Sequence, residues 1–323
     1  MRVSLLNGCG SVRPRCWQAL AVVVLALAIA GCHRNSSSAG KPAPGQKTYA
    51  SPADAGMALA QAAKNDDQSQ MLEIFGSGAK DILYSGDAAQ DKTDIADFAA
   101  AYDRMHRWRK LENGNQLLVV GATNIAFPVP LRKDGKGNWY FDAPAGATEL
   151  QVRRIGRNEL AAIDIIASLA DAQEEFFNQE HEGVKQFAHH FISDPGKENG
   201  LYWPPLPGKA KSPVGPLLAY ASEQGSQLDP SLHKPFHGYY FGILDTQGIW
   251  ANGGLKDYMR LGVMNRGYGF IAWPAEYGKS GVMTFMINRD RIIYQKDMGP
   301  TTKDQAPFMT AFAPDSSWLR VEQ

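Results

Sequence analysis

Cysteine is almost missing from this chain. Its 323 residues include three, Cys9, Cys16 and Cys32, and none follows position 32. Everything beyond that point is therefore without disulfides, thiolate nucleophiles or cysteine-bound metal, and must rest on apolar cores. An excess of charge is missing too: 33 basic residues face 33 acidic ones. That balance excludes the basic footprint of a nucleic-acid binder and a polybasic membrane patch. No phosphate loop, Gly-x-Ser-x-Gly elbow or paired zinc histidines occur.

One long apolar run exists, and it lies at the start. Arg2, Arg13 and Arg15 precede "WQALAVVVLALAIA", which leads into Ile29-Ala30-Gly31-Cys32. A basic flank, an apolar stretch too short for a membrane span and small residues before a cysteine form a bacterial lipoprotein signal. Residues 1–31 are expected to leave as signal peptide, with the Cys32 thiol carrying diacylglycerol and the new N-terminus an acyl chain such as palmitate. The remaining 292 residues hold 30 basic and 33 acidic side chains, a formal charge of −3. His33, and not aspartate, follows the anchor, so the expected location is the outer membrane facing the periplasm, with the inner membrane as the lesser alternative.

Residues 32–50, with "HRNSSSAGKPAPGQKTYA" after the cysteine, have the composition of a flexible tether. A first α+β module is expected over 51–150. Ser51 can cap a helix, Pro52 suits its first position and Asp54 suits its positive end. "MLEIFG" and "DIADFAAAYDRMHRW" add helices, and His106 among Arg104, Arg107 and Arg109 reads as a basic helix face. Strands follow in "NQLLVVG", "AFPVPLRK" and "NWYFD", with "KDGKGN" as a turn. Helices followed by an antiparallel sheet resemble the cone-shaped fold of the nuclear transport factor two and ketosteroid isomerase type. Such a cone can enclose an apolar cavity, and Tyr102, Trp108, Trp139 and Phe141 either line one or fill the core.

The second module, 151–323, opens with a helix expected from Arg157 to Asn178. Asp164, Ser168, Asp171, Glu175 and Asn178 share one stripe, predicted to face water, opposite an apolar stripe. A Pro- and Gly-rich stretch from 194 to 235 reads as a long loop with a short helix from Pro216 to Glu223. Four strands close the chain: "HGYYFGIL", "YGFIAWPA", "VMTFMIN" and "RIIYQKD". Arg291 follows Asp290 in the last turn, where positive φ favours glycine.

"RRIGRNELAAI", "SDPGKENGLYWP", "SPVGPL", "FHGYYFGIL", "WPAEYGKSGVMTFMINRD" and "YQKDMGP" together resemble the bacterial family known as domain of unknown function 2950. That resemblance implies an exported, often lipidated, two-part protein without an assigned activity. The second module also resembles, more loosely, the globular region of type IV pilins. It lacks their long apolar helix and their cysteine pair.

Chemistry is sparse. Pro235 between His233 and His237 breaks the helix that would bring both rings to one metal. His189 and His190 are adjacent and would point apart in a regular element. Glu276, Asp290 and Asp297 could include a carboxylate pair for general acid-base work, but Asp290 lies in a turn and Asp297 follows the last strand, which leaves Glu276 as the one carboxylate the closing hairpin does not explain. No metal or cofactor is expected. The leading expectation is a non-enzymatic binding or scaffold protein with an envelope protein or small ligand as partner. The alternatives are an enzyme or small-ligand binder using the first module's cavity with Asp97, Asp103 or Asp142, and a pilin-like piece of a secretion machine.

Overall fold

The computed structural model describes residues 40–83, 88–181, 183–204, 211–215 and 234–322. The signal sequence and Cys32, the helix expected over 216–223 and His233 lie outside the described residues. The chain divides into two compact units, Met1–Leu150 and Gln151–Gln323.

Four helices begin the first unit: α1 (Pro52–Lys64), α2 (Gln68–Phe75), the short α3 (Lys80–Leu83) and α4 (Ala88–Arg104). Ser51 caps α1 as its spacing predicts, its hydroxyl accepting from the Asp54 amide at 3.1 Å. The strands β1 (His106–Lys110), β2 (Gln116–Val120), β3 (Ile125–Ala126), β4 (Leu131–Lys133) and β5 (Trp139–Phe141) form an antiparallel sheet. Leu59, Ile74, Phe75, Phe98, Leu118, Leu131 and Phe141 fill the space between helices and sheet. The basic helix face expected around His106 is instead strand β1, paired in register with β2 from His106 opposite Val120 to Lys110 opposite Gln116. Only Trp108 at its centre turns toward the core.

The end of the expected tether is held in place. Tyr49 and Trp139 exchange two backbone hydrogen bonds of 2.7 Å, and the Gln46 amide donates to the Ile74 and Phe141 carbonyls at 3.0 and 2.8 Å. The Lys47 ammonium pairs with Glu73 at 2.7 Å.

Helix α5 runs from Ala143 to Phe177, 35 residues, beginning 14 residues before the start expected at Arg157. Gly156 suggests a boundary there, because glycine costs about 1 kcal/mol in a helix interior. Asp142 supplies the N-terminal cap instead, accepting from the Ala145 amide, and Pro144 fits the first turn, where no donor is needed.

In the second unit α5 lies against a five-stranded antiparallel sheet. Its order is Tyr239–Leu244, Gly269–Pro274, Met283–Asn288, Tyr294–Asp297 and Leu319–Arg320. Four of these match the expected strands; the fifth is too short to announce itself. One sheet face carries Tyr239, Phe241, Phe270, Phe285 and Ile287 against Ile165, Ile166, Leu169 and Phe176 of α5. The other carries Leu244, Ile271 and Met286 under Ala306, Phe312 and Trp318 from the C-terminal segment. A central sheet buried on both faces reads as near-continuous apolar runs, as "GFIAWP" and "MTFMIN" do. Among the described residues no helix is long and apolar enough to cross a membrane.

Candidate functional site

The outward stripe of α5 does not simply meet bulk water. Ala161, Asp164, Ile165, Ser168, Asp171, Ala172 and Glu175 form one wall of a cleft of about 500 Å³. Pro213 and Val214 close it on one side, Phe236 and His237 on another. Ile165, Ala172, Val214 and Phe236 are buried and give it an apolar floor. From Ala161 to Glu175 the wall advances 14 residues, roughly 20 Å along the helix axis.

The carboxylates at this wall differ in what meets them. Asp171 is paired with the Arg291 guanidinium, which arrives from the turn between two sheet strands. Asp164 and Glu175 have no ion-pair partner among the described residues. Burial raises the Asp164 pKa above the ordinary carboxylate range. A cation placed beside it would recover that desolvation cost. The cleft therefore combines an apolar surface with two carboxylates that have no ion-pair partner among the described residues, which suits an amphipathic cation.

Arg291 has a left-handed backbone, φ +65°. The turn expected to need glycine at this position does take positive φ, with arginine in it. Its side chain reaches Asp171, and Arg289 two residues earlier reaches Glu174 at 3.2 Å while lying over the Phe177 and Phe187 rings. The turn thus holds α5 at two positions three residues apart, Asp171 and Glu174.

The four aromatics proposed for a cavity in the first module all face its core. Tyr102, Trp139 and Phe141 are buried, and Trp108 packs against the same cluster. Phe75 and Phe141 have ring centroids 4.9 Å apart, and the Tyr102 ring stacks on His106 at 3.9 Å. Neither the second unit's cleft nor the groove between α1 and α4 includes any of the four. Asp103 is engaged by Lys64 at 2.7 Å, Asp142 caps α5, and Asp97 is exposed on α4. Ser77 and Lys80 have the Ser-x-x-Lys spacing of some acyl-transfer sites. Both are exposed around a single 3₁₀ turn.

The remaining polar candidates have local tasks. Glu276 pairs with Lys279 at 2.8 Å, and the Ser280 amide donates to its carbonyl, so it closes a surface turn. Hydrogen bonding to Lys279 holds its carboxyl below the usual range. Asp297 accepts from the Tyr277 hydroxyl and from the Gly299 amide. Asp290 donates its amide to the Asn288 side chain within the turn. His189 and His190, expected to diverge, have rings 5.0 Å apart because His189 precedes the strand and escapes its alternation. Burial, with His190 beside it, lowers the His189 pKa. No group of three metal-ligating side chains occurs among the described residues.

The family described as "Protein of unknown function (DUF2950)" matches residues 46–321. The chain belongs to this family. No curated protein and no solved structure matches it. The family match begins at Gln46, whose side chain ties the leading segment into the α+β fold. Two glycines in its motifs have plain steric reasons. A Cβ on Gly281 would stand 2.2 Å from the Tyr239 hydroxyl, and one on Gly238, at φ +73°, would stand 2.7 Å from the Asn158 amide.

Sequence reasoning identified the α5 stripe but missed the cleft. Pro213, Val214 and Phe236 come from a stretch whose Pro and Gly content marks it as loop. Their apolar side chains within that loop were the available signal.

Proposed function

We propose that this member of the DUF2950 family is a non-enzymatic envelope lipoprotein, anchored by lipid on Cys32, whose second unit binds a small amphipathic cation or a basic partner segment in the α5 cleft. The observation carrying this reading is the pairing of an apolar floor with Asp164 and Glu175, two carboxylates with no ion-pair partner among the described residues. Asp164 stays exposed, yet partial burial raises its pKa, and a bound ammonium would offset that cost. The lipobox motivates an outer-membrane location facing the periplasm. In the same reading the first unit is a cone of the nuclear transport factor two type, supported by α1, α2 and α4 packing on an antiparallel sheet. The second is pilin-like, supported by one long helix lying against a meander of strands.

The test uses fluorescence titration of the full chain with dansylcadaverine, which joins an aromatic body to an ammonium. Dansylamide, without the ammonium, is the control. The cationic probe should bind more tightly, and Asp164→Asn with Glu175→Gln should weaken it about tenfold while circular dichroism stays unchanged. Equal affinity for both probes, or indifference to the double substitution, would contradict the reading.

A further inference from the structure

The face of α5 that forms the cleft wall continues beyond it toward the helix N-terminus. Positions 154, 157, 161, 164, 168, 171 and 175 advance by three or four residues and so lie on one face. Read in that order the face begins with Arg154 and Arg157, passes the small Ala161, and then becomes acidic at Asp164, Asp171 and Glu175. Arg157 has no ion-pair partner among the described residues. Its pKa is lowered first by burial and then by Arg153 and Arg154 beside it. Arg157 is an exposed cation one helical turn beyond Ala161 at the cleft wall, and its close charged neighbours on the helix are also cations.

A cation and a carboxylate, neither with an ion-pair partner among the described residues, thus stand seven residues apart on one helix face, about 10 Å along the axis. They are too far apart to neutralise each other directly, and Ala161 leaves the surface between them low.

We propose that the cleft takes a linear dipolar chain, its ammonium on Asp164 and its carboxylate on Arg157, with an apolar stretch between them crossing Ala161. This rests on the reading of the cleft as a binding site and adds to it the polarity and length of the occupant. Charge complementarity fixes the direction, since the reverse orientation puts like charges together at both ends. A peptide-like molecule or an amino acid with its two charges well separated fits this class, whereas a compact α-amino acid does not span the two residues.

ω-Aminoalkanoates of increasing length serve as rulers, titrated calorimetrically into the full chain beside n-octylamine. 8-Aminooctanoate, whose extended length matches the spacing, should bind about fivefold more tightly than either 4-aminobutanoate or n-octylamine, the gain of one favourable ion pair. Arg157→Gln should abolish the advantage over n-octylamine and leave n-octylamine binding unchanged. If n-octylamine binds and 8-aminooctanoate binds no better, or if Arg157→Gln leaves the advantage in place, the dipolar proposal is overturned and the cationic cleft stands. If neither compound binds, both fail.

Discussion

Arg291 holds a left-handed backbone that costs a non-glycine residue roughly 1 kcal/mol, and its guanidinium partly offsets this by meeting Asp171. Replacing it separates the two effects. Arg291→Ala keeps the backbone strain and loses the pair; Arg291→Gly loses the pair and relieves the strain. Urea unfolding should therefore find the glycine variant more stable than the alanine variant by about 1 kcal/mol. Asp164 behaves in the opposite sense from most carboxylates. Its pKa is raised by burial, so its contribution favours the folded state at low pH and is lost as pH rises through the folded value. Because Asp164 stays exposed to solvent, Asp164→Asn should leave the melting temperature at neutral pH within about 1 °C while weakening cationic probes. A lowered melting temperature would show that the carboxylate has a structural partner.

Gly281 is a third case at this scale. A methyl there meets the Tyr239 ring, whose hydroxyl donates to the Met283 carbonyl at 2.8 Å. Gly281→Ala should cost about 2–3 kcal/mol in chemical unfolding, the range for forcing an atom into a filled core. These residue-level facts were only partly legible in the sequence. The Asn-Arg-Asp-Arg turn announced a conformational question at Arg291. Nothing local to Gly281 announces a tyrosine 42 positions earlier in the chain.

Among the elements, α5 does most to organise the second unit. Its buried Gln173 exchanges two 2.8 Å hydrogen bonds with the Ala188 backbone. Glu159 accepts from the Val282 and Met283 amides at 2.9 and 3.0 Å, and Asn158 donates to the Ser280 carbonyl at 2.8 Å. The helix therefore fixes where the central Met283–Asn288 strand begins. Glu159→Ala should destabilise by about 1.5–3 kcal/mol and sharply lower hydrogen-exchange protection at Val282 and Met283. Unchanged protection at those two amides would contradict this role. The helix was recognisable from its apolar stripe, as were four strands from their apolar and β-branched runs. Its true start was hidden by Gly156, because the capping Asp142 lies outside the amphipathic pattern. Strand β1 was hidden for a different reason: its five residues are mostly charged, and their pairing with "QLLVV" is a long-range fact that local composition does not encode.

For the whole molecule, an α+β chain of the DUF2950 family carries an open, apolar-floored cleft in its second unit, and the lipobox motivates the proposal of a lipid anchor. Cys32→Ala should move the protein from the membrane pellet to the soluble fraction without altering its melting temperature; continued sedimentation with membranes would contradict anchoring through this residue. The binding site was legible only in halves. The carboxylate stripe stood out at helical spacing, but its opposite wall is assembled from residues 213–214 and 236–237, which no periodicity links to α5. The central claim is that this cleft is where the molecule binds. Nitrogen-15 chemical-shift mapping of the full chain during titration with dansylcadaverine tests it most directly. The account predicts perturbations concentrated at residues 161–175, 214 and 236–237; shifts confined to the first unit, or none at saturating probe, would contradict it.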